Sequence, residues 1–472
     1  MTAIPDMTAG ELLAAYKTKK LSPVEAVDAV IAHIGKWEHK LKALYAPDFG
    51  GARKQAQASE KRWQQGAPIG ALDGVPITIK ENIATKGVPV PLGTAASDLV
   101  PAQADAPAAA RVREAGAILL AKTTMPDYGM LSSGRSSFHP LTRNPWNLAW
   151  NPGGSSAGGG AAAAAGYGPL HIGTDIGGSV RLPACWNGVF GLKPSNGRVP
   201  VDPPFLGRIV GPLTRTVADS ALLMAEISKP DWRDHMNLPP ADIDWSAAPR
   251  DHPLDPKGLK IGLHLDAGCG MPVEPETKKA IEAAAKLFAA AGAQVAPMPA
   301  FMTPDMLALQ DVFWRVRSWN DFAALSHEKQ ARVLPFIAQW CRGGADMSGR
   351  DVIRGVNNFM AIRAAAVKAI QPYDFVLSPV SPVLPFAAES TGSDAEMSTR
   401  DSHFTVPFNQ SGQPAASIHC GHSASGLPIG LQIVGRRFDD LGVLQMAHFY
   451  ESVRGPRAPW PEPPPRKFLA VV

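Results

Sequence analysis

Two serines in glycine-rich turns are the first residues of this sequence with an evident capacity for chemistry. Ser155 lies within PGGSSAG (152–158), and Ser179 ends GTDIGGS (173–179). Glycine permits the positive φ values and the close backbone approach that a turn beside a ligand requires. Free N–H groups just before a serine can form an oxyanion hole, because negative charge develops on a carbonyl oxygen within their reach. The second turn therefore predicts Ser179 as a nucleophile, with oxyanion donors at Ile176, Gly177 and Gly178.

A serine hydroxyl is a weak nucleophile without a base, and Lys80 is the base that the sequence offers. Lys80 follows the apolar run VPITI (75–79), where desolvation favours the neutral amine over the ammonium ion. None of the twelve histidines falls in a recognisable catalytic motif, and G-x-S-x-G is absent around both serines. A lysine at a strand end is usually a surface residue, but beside two serine–glycine turns it predicts the arrangement Lys80–Ser155–Ser179.

The glycine-rich segment has a second interpretation as a phosphate-binding loop. GGGAAA (158–163) fits the pattern G-x-G-x-x-A, but no Gly-Lys-Ser/Thr follows and no predicted strand precedes it. We therefore predict neither a cofactor nor a metal. We interpret Asp175 and Arg181 as a structural ion pair or turn element, and Asp127 as a residue that fixes a loop, in preference to substrate contacts.

Alternating strands and helices are predicted around these residues. A β-branched run favours a strand over 72–80, and helix–glycine–strand patterns recur further along the chain. Such alternation is typical of α/β layers, so we expect a mixed, twisted β-sheet with helices on both faces. The other predicted elements are a helix after the capping box SPVE (22–25), a helix over 51–65, a helix from 106 with a strand at 117–120, a strand over 259–265, a helix over 276–291, a strand near 295, helices within 305–371, and strands at 375–377 and 430–434.

At 472 residues the chain is two to three times the usual domain length, which allows several domains or one large layered domain. We predict a single domain over 1–472. Its expected parts are N-terminal helices (1–65), a core that carries the motifs (66–225), a long connection rich in Pro, Asp and Trp (226–257), a second α/β portion with pocket helices (258–458), and a surface tail (459–472).

Composition excludes several classes of protein. A net charge of +4, with 45% hydrophobic and 19% charged residues, rules out a disordered chain. No Lys/Arg run marks a nucleic-acid binder, and no apolar run approaches the roughly 20 residues that span a bilayer. The start lacks the basic and apolar segments of a signal peptide, and the four cysteines lack CxxC spacing. We expect reduced thiols and a cytoplasmic protein.

Three blocks taken together resemble the amidase signature hydrolases, and the resemblance covers nearly the whole chain. They are GVPITIKEN (74–82), GGSS (153–156) and GTDIGGSVR (173–181), in this order. Ser179 follows Ser155 by 24 positions, which also matches the family. The resemblance implies the amidase signature fold, with Ser179 acylated, Lys80 as base and Ser155 as a bridging serine after a cis peptide bond. It also implies oxyanion N–H groups at 176–179. Ala157 stands where many members carry glycine, and we expect its methyl group not to affect chemistry.

The resemblance further implies hydrolysis of a carbon–nitrogen acyl bond in a small linear amide, including aryl amides or carbamates (urethanes) if an apolar pocket exists. We expect a monomer or homodimer without a membrane or nucleic-acid partner. Two alternatives stay open: a glutaminase-type subunit of a tRNA-dependent amidotransferase, and a non-catalytic binding protein on the same fold. The candidate pocket residues are Met130, Leu131, Gly154, Trp314, Trp319, Phe336 and Trp340.

Overall fold

One mixed β-sheet runs through the computed structural model, which describes residues 3–248, 254–394 and 401–464. Within these residues the sheet has eleven strands in the order β1-β3-β2-β4-β6-β5-β10-β11-β9-β7-β8. The strands are β1 Leu44–Tyr45, β2 Pro76–Lys80, β3 Ile118–Thr123, β4 Leu170–Asp175, β5 Phe190–Lys193, β6 Ile209–Thr214, β7 Lys260–Leu263, β8 Gln294–Pro297, β9 Phe375–Pro379, β10 Ala415–His422 and β11 Pro428–Gly435.

Helices cover both faces of this sheet, as predicted, and the described residues contain fourteen of them. The apolar core lies between the sheet and these helices. The helices are α1 Ala9–Lys17, α2 Pro23–Leu41, α3 Phe49–Gln64, α4 Pro107–Glu114, α5 Ala157–Ala165, α6 Arg181–Asn187, α7 Val217–Ile227, α8 Pro275–Ala290, α9 Pro304–Ala323, α10 His327–Arg332, α11 Pro335–Arg342, α12 Gly349–Ile370, α13 Val406–Ser411 and α14 Asp440–Val453. None of the helices in the described ranges is long and apolar enough to cross a membrane.

The strands that carry the chemical motifs lie side by side within the sheet. β2 pairs in parallel with β3 and with β4, and β4 pairs antiparallel with β6. β2 and β4 are buried along their whole length, which explains why β2 is an almost continuous apolar run. Because β2 and β4 are parallel neighbours, their carboxyl ends meet at one edge, and Lys80 is brought close to the turn after Asp175.

Local signals explain where the elements begin and end. The predicted capping box opens α2: Ser22 N donates to Glu25 Oε2 at 2.8 Å, and Glu25 N donates to Ser22 Oγ at 3.2 Å. The strand predicted from 72 begins only at Pro76, because Gly74 has a φ of +88° and ends a turn. The strands β1, β4, β5, β6 and β10 were not predicted.

Four of the predicted parts fall partly outside the described residues, namely at 1–2 of the N-terminal helices, 249–253 of the connection, 395–400 of the second α/β portion and 465–472 of the tail. The division of the domain into five parts stays a prediction.

All four cysteines lie within the described residues and are free thiols, as predicted.

A layer of helices stands over the carboxyl ends of β2 and β4. α9 packs against both α11 and α12, and α9 and α11 cover the loop that follows β3. Apolar side chains of α9 and α11 (Phe322, Ile337 and Cys341) are buried against Leu131 of that loop. This layer forms the roof of the site described next.

Candidate active site

A cavity of about 270 Å³ lies between the carboxyl ends of β2 and β4 and the helices α9 and α11. Ser155 and Ser179 both line it, together with Ile176 and Gly177 of the second glycine-rich turn. No histidine lines it within the part of the chain that the structure describes. The two serines that the sequence singled out therefore share one cavity.

Lys80, the last residue of β2, lies directly behind Ser155 and is fully buried. Its Nζ donates hydrogen bonds to Ser155 Oγ at 2.8 Å and to Thr174 Oγ1 at 2.9 Å. Desolvation lowers the pKa of Lys80 to about 7, although the negative charges of Asp175 and Glu81 act in the opposite direction. A large fraction of this amine is thus neutral near pH 7 and able to accept a proton.

The position immediately before Ser155 accommodates only glycine. The peptide bond between Gly154 and Ser155 is cis, as the resemblance implies. A Cβ atom on Gly154 would lie 2.4 Å from the carbonyl oxygen of Leu131, so no larger residue fits at this position. Ser155 itself is buried, and its hydroxyl group lies between Lys80 and the cavity.

Ser179 follows β4 in a turn that is connected to the first serine segment. Ser156 N donates to the carbonyl oxygen of Ser179 at 3.1 Å, which holds the two glycine-rich segments against each other. Gly178 has a φ of +127°, and a Cβ atom there would lie 2.5 Å from Thr405 Oγ1. Glycine is therefore required immediately before Ser179, and the turn presents the serine to the cavity.

The predicted oxyanion donors need one correction, at Gly178. The N–H of Gly178 donates to Asp175 Oδ1 at 2.8 Å and is already satisfied, and Gly178 does not line the cavity. The cause is the turn itself, in which the Asp175 side chain folds back over the following backbone. Ile176, Gly177 and Ser179 do line the cavity, so their N–H groups are the candidates that remain.

Asp175 and Arg181 form a buried ion pair, as predicted, and lie beneath the Ser179 turn. Arg181 Nε and Nη2 donate to the two oxygens of Asp175, each at 2.9 Å, and both side chains are fully buried. Arg181 also donates to the carbonyl oxygen of Thr405, to Asn409 and to Gln432. Charged neighbours and hydrogen bonds hold the pKa of Asp175 well below its usual range despite its burial.

Replacing Arg181 with methionine is expected to lower the free energy of unfolding by about 3–5 kcal/mol, because it leaves a buried carboxylate without its partner. Urea unfolding followed by tryptophan fluorescence measures the change. Arg354→Met is the matched control, since the Arg354 side chain is 59% exposed and its loss should change stability by less than about 0.5 kcal/mol. Equal effects of the two substitutions would contradict a structural role for this ion pair.

Most of the predicted pocket residues lie at the cavity, but two do not. Met130, Leu131, Gly154, Trp314 and Trp340 line it. Phe336 and Trp319 pack instead, partly buried, in the apolar cluster beside it. The reason is helical geometry: in α11 the lining positions are 337, 340 and 341, and Phe336 is rotated by about 100° from position 337.

Thr174 is one of several site residues that the sequence reasoning missed. It accepts hydrogen bonds from Lys80 and from Asn82 Nδ2, the latter at 3.1 Å, and so orients the amine. Arg208 and Arg317 also line the cavity. Arg317 could have been found from the sequence, because it lies three positions after the predicted pocket residue Trp314 and so on the same face of a helix. The cavity-lining residues of α9 follow this helical spacing: Gln310, Asp311, Trp314, Arg317, Ser318, Asp321 and Phe322.

Asp127 has the structural role that was predicted for it. Its carboxylate accepts hydrogen bonds from Ser137 N at 2.7 Å, from Ser137 Oγ at 2.7 Å and from Leu334 N at 2.9 Å. These bonds join the loop after β3 to the start of α11, so Asp127 fixes the loop that carries Met130 and Leu131.

Comparisons with known proteins identify the family to which this fold belongs. The model of the family described as Amidase matches residues 25–444. The chain belongs to this family. Its membership and its relatives support hydrolysis of carbon–nitrogen bonds.

Several relatives align over nearly the whole chain. A glutamyl-tRNA(Gln) amidotransferase subunit of Myxococcus xanthus is 33% identical over 95% of this chain and 97% of its own length. An acylamidase of Rhodococcus erythropolis is 31% identical over 98% of both chains. Among solved structures, a bacterial aryl acylamidase of the amidase signature family superposes with a TM-score of 0.87 at 30% identity, covering 94% of this chain and 96% of that one.

Proposed function

We propose that this protein hydrolyses the carbon–nitrogen acyl bond of a small linear amide through an acyl-Ser179 intermediate. The observation that carries the proposal is the 2.8 Å hydrogen bond between Lys80 Nζ and Ser155 Oγ, behind a cavity that Ser179 also lines. A buried amine with a lowered pKa, next to a serine and with no histidine at the cavity within the described residues, is suited to act as a general base.

In the acylation step, neutral Lys80 accepts the Ser155 hydroxyl proton while Ser155 Oγ accepts the proton of Ser179. Ser179 Oγ forms a bond with the carbonyl carbon, and negative charge moves to the carbonyl oxygen. The N–H groups of Ile176, Gly177 and Ser179, whose residues line the cavity, are the donors that we propose for that charge. Collapse of the tetrahedral intermediate breaks the carbon–nitrogen bond, and the leaving nitrogen receives the proton from Lys80 through Ser155.

In the deacylation step, a water molecule takes the place of the departed amine. Ser155 and Lys80 accept its proton as it attacks the ester carbonyl, and the carbon–oxygen bond to Ser179 then breaks. Ser179 regains its proton through the same relay, and the carboxylic acid leaves. The cycle returns Lys80 to its neutral form and consumes one water per amide, so no cofactor enters it.

The lining of the cavity favours substrates with an apolar or aromatic portion. Met130, Leu131, Trp314, Ile337 and Trp340 provide an apolar wall beside the serines. The similarity to a bacterial aryl acylamidase supports aryl amides as one substrate class. Carbamates belong to the same proposal, because their carbonyl carbon presents the same target to Ser179.

A panel of aliphatic amides, anilides, aryl carbamates and glutamine tests this function. We expect the anilides and aryl carbamates to be turned over by the isolated protein, with all turnover lost in Ser179→Ala. Amine release measured by chromatography provides the readout. A protein that turns over none of the panel and is not labelled by a fluorophosphonate would instead fit the alternative of a non-catalytic binding protein.

A second candidate function is the glutaminase component of a tRNA-dependent amidotransferase. The similarity to a glutamyl-tRNA(Gln) amidotransferase subunit favours it. Ammonia release from glutamine that appears only when cell extract or a partner protein is added would support this candidate. Turnover of anilides by the isolated chain, without glutaminase activity under either condition, would support the amidase.

A further inference from the structure

Two guanidinium groups border the cavity, and no carboxylate among the described residues neutralises them. Arg208, just before β6, and Arg317 on α9 both line the cavity. In the part of the chain that the structure describes, neither makes an ion pair, and Arg208 donates from Nη1 to the carbonyl oxygen of Pro203 at 3.2 Å. Arginines that border a cavity without ion-pair partners are candidates for binding an anion.

The two arginines flank a single aromatic ring. The Cζ atom of Arg317 lies 4.1 Å from the centroid of the Phe205 ring, and that of Arg208 lies 5.9 Å from it. Phe205 in turn contacts Trp314, with the ring centroids 6.0 Å apart. Burial, together with the positive charge of Arg317, lowers the pKa of Arg208. Two like charges are thus held close together, which is unfavourable until an anion lies between them.

The acidic residues at the cavity do not cancel this charge. Asp175 is neutralised by Arg181, and Asp311 accepts from Arg315 Nε at 2.5 Å. Asp321 is exposed and accepts a hydrogen bond from its neighbour Asn320. Among the described residues this leaves one unpaired carboxylate, the exposed Asp321, against the two guanidinium groups, so the net charge around Arg208 and Arg317 is positive.

We propose that Arg208 and Arg317 bind a carboxylate of the substrate, so that the preferred amides carry an acidic group as well as an apolar body. A guanidinium donates paired N–H groups to a carboxylate, and Phe205 keeps the Arg317 group in place by stacking. The apolar wall around Trp314 and Trp340 would receive the rest of the molecule. This inference rests on the proposed hydrolase function and specifies its substrate class.

Two pairs of matched substrates test the inference. 4-Acetamidobenzoate and 4-nitroacetanilide differ in a carboxylate against an uncharged nitro group on the amine side. Glutaranilate and valeranilide differ by a carboxylate on the acyl side. For each pair, the measured quantity is kcat/KM of the anionic substrate divided by kcat/KM of the neutral one, which removes general effects of a mutation on catalysis.

We expect Arg208→Gln to lower this ratio by about 10- to 100-fold in one of the pairs, which identifies the side of the amide that carries the acid. Arg317→Gln should lower it by about three- to tenfold, because Arg317 is exposed. Arg354→Gln, which removes the same charge from an exposed position that does not line the cavity, should leave the ratio unchanged. Ratios that are the same in wild type, Arg208→Gln and Arg317→Gln for both pairs would overturn the inference.

A binding measurement separates this inference from the proposed function. Titration of the Ser179→Ala protein with 4-acetamidobenzoate, followed by the fluorescence of the cavity tryptophans, should show binding that Arg208→Gln weakens and that 0.5 M NaCl weakens. If the wild-type protein cleaves none of the substrates while this binding is observed, the hydrolase proposal fails and the carboxylate site stands. If anilides are cleaved but 4-acetamidobenzoate and glutaranilate bind no better than their neutral partners, the carboxylate site fails alone.

Discussion

Replacing Ser179 with alanine is expected to reduce kcat/KM for amide hydrolysis by a factor on the order of 10⁴ or more, as for other serine nucleophiles. Without Oγ no acyl-enzyme can form, whereas the cavity, Lys80 and Ser155 stay in place. The substitution removes one small hydroxyl group, so folding should be nearly unchanged. Rates of amine release and intact-protein mass spectrometry after incubation with a fluorophosphonate provide the two measurements.

Ser425→Ala is the matched control for this substitution, because Ser425 is exposed in a turn and does not line the cavity. It should retain both the activity and the covalent label. Peptide mapping of the labelled wild-type protein should place the adduct on Ser179. An adduct on Ser155 instead would reverse the roles that we assign to the two serines.

Replacing Lys80 is expected to have the second large effect and to change the dependence of rate on pH. Only the neutral amine accepts a proton, and burial lowers the pKa of Lys80 to about 7. Below that pKa the amine is protonated, so kcat/KM should fall about tenfold for each further pH unit and reach a plateau above about pH 8. Lys80→Met should lower the plateau by about 10²–10⁴-fold and remove this acid limb.

Lys80→Arg should be almost as damaging as Lys80→Met, because a guanidinium cannot be deprotonated in this range. Lys122 provides a matched control, since it is a buried lysine on the neighbouring strand β3 whose pKa burial also lowers to about 7, yet it donates to Ile83 O and Thr85 Oγ1 and to neither serine. Lys122→Met should keep the acid limb. A Lys80→Arg protein with more than roughly a tenth of wild-type activity would show that Lys80 only positions other groups.

Short-range signals predicted much of this fold, and strands without such signals were missed. The capping box at Ser22 and the β-branched run before Lys80 correctly indicated α2 and β2. β10, with the sequence AASIHCGH, carries few of the branched residues that favour strands, and it is a strand because β5 and β11 pair with it on its two sides. That pairing depends on contacts that are distant in sequence.

The residues of the candidate site likewise include some that the sequence predicted and others that it did not. Ser155, Ser179 and Lys80 were predictable because the glycine-rich turns and the apolar strand are continuous in sequence. Arg208 acquires its place only when separate segments meet, and nothing near it in sequence marks it as a site residue. Thr174 lies within GTDIGGS (173–179), but its contact with Lys80 depends on the pairing of β2 with β4. The satisfied N–H of Gly178 could not be predicted either, because it depends on how the Asp175 side chain folds back.

The Asp175–Arg181 ion pair lies beneath the Ser179 turn, and it is held in place by a part of the chain that is synthesised much later. Arg181 is anchored to Thr405, Asn409 and Gln432, between 224 and 251 positions further on. A nascent chain that ends before Thr405 would contain every serine, lysine and glycine of the three motifs but none of these anchors. Contacts of such long range form slowly in folding. The Ser179 turn therefore reaches the arrangement described here only after Thr405, α13 and β11 are in place, because these carry the three anchors.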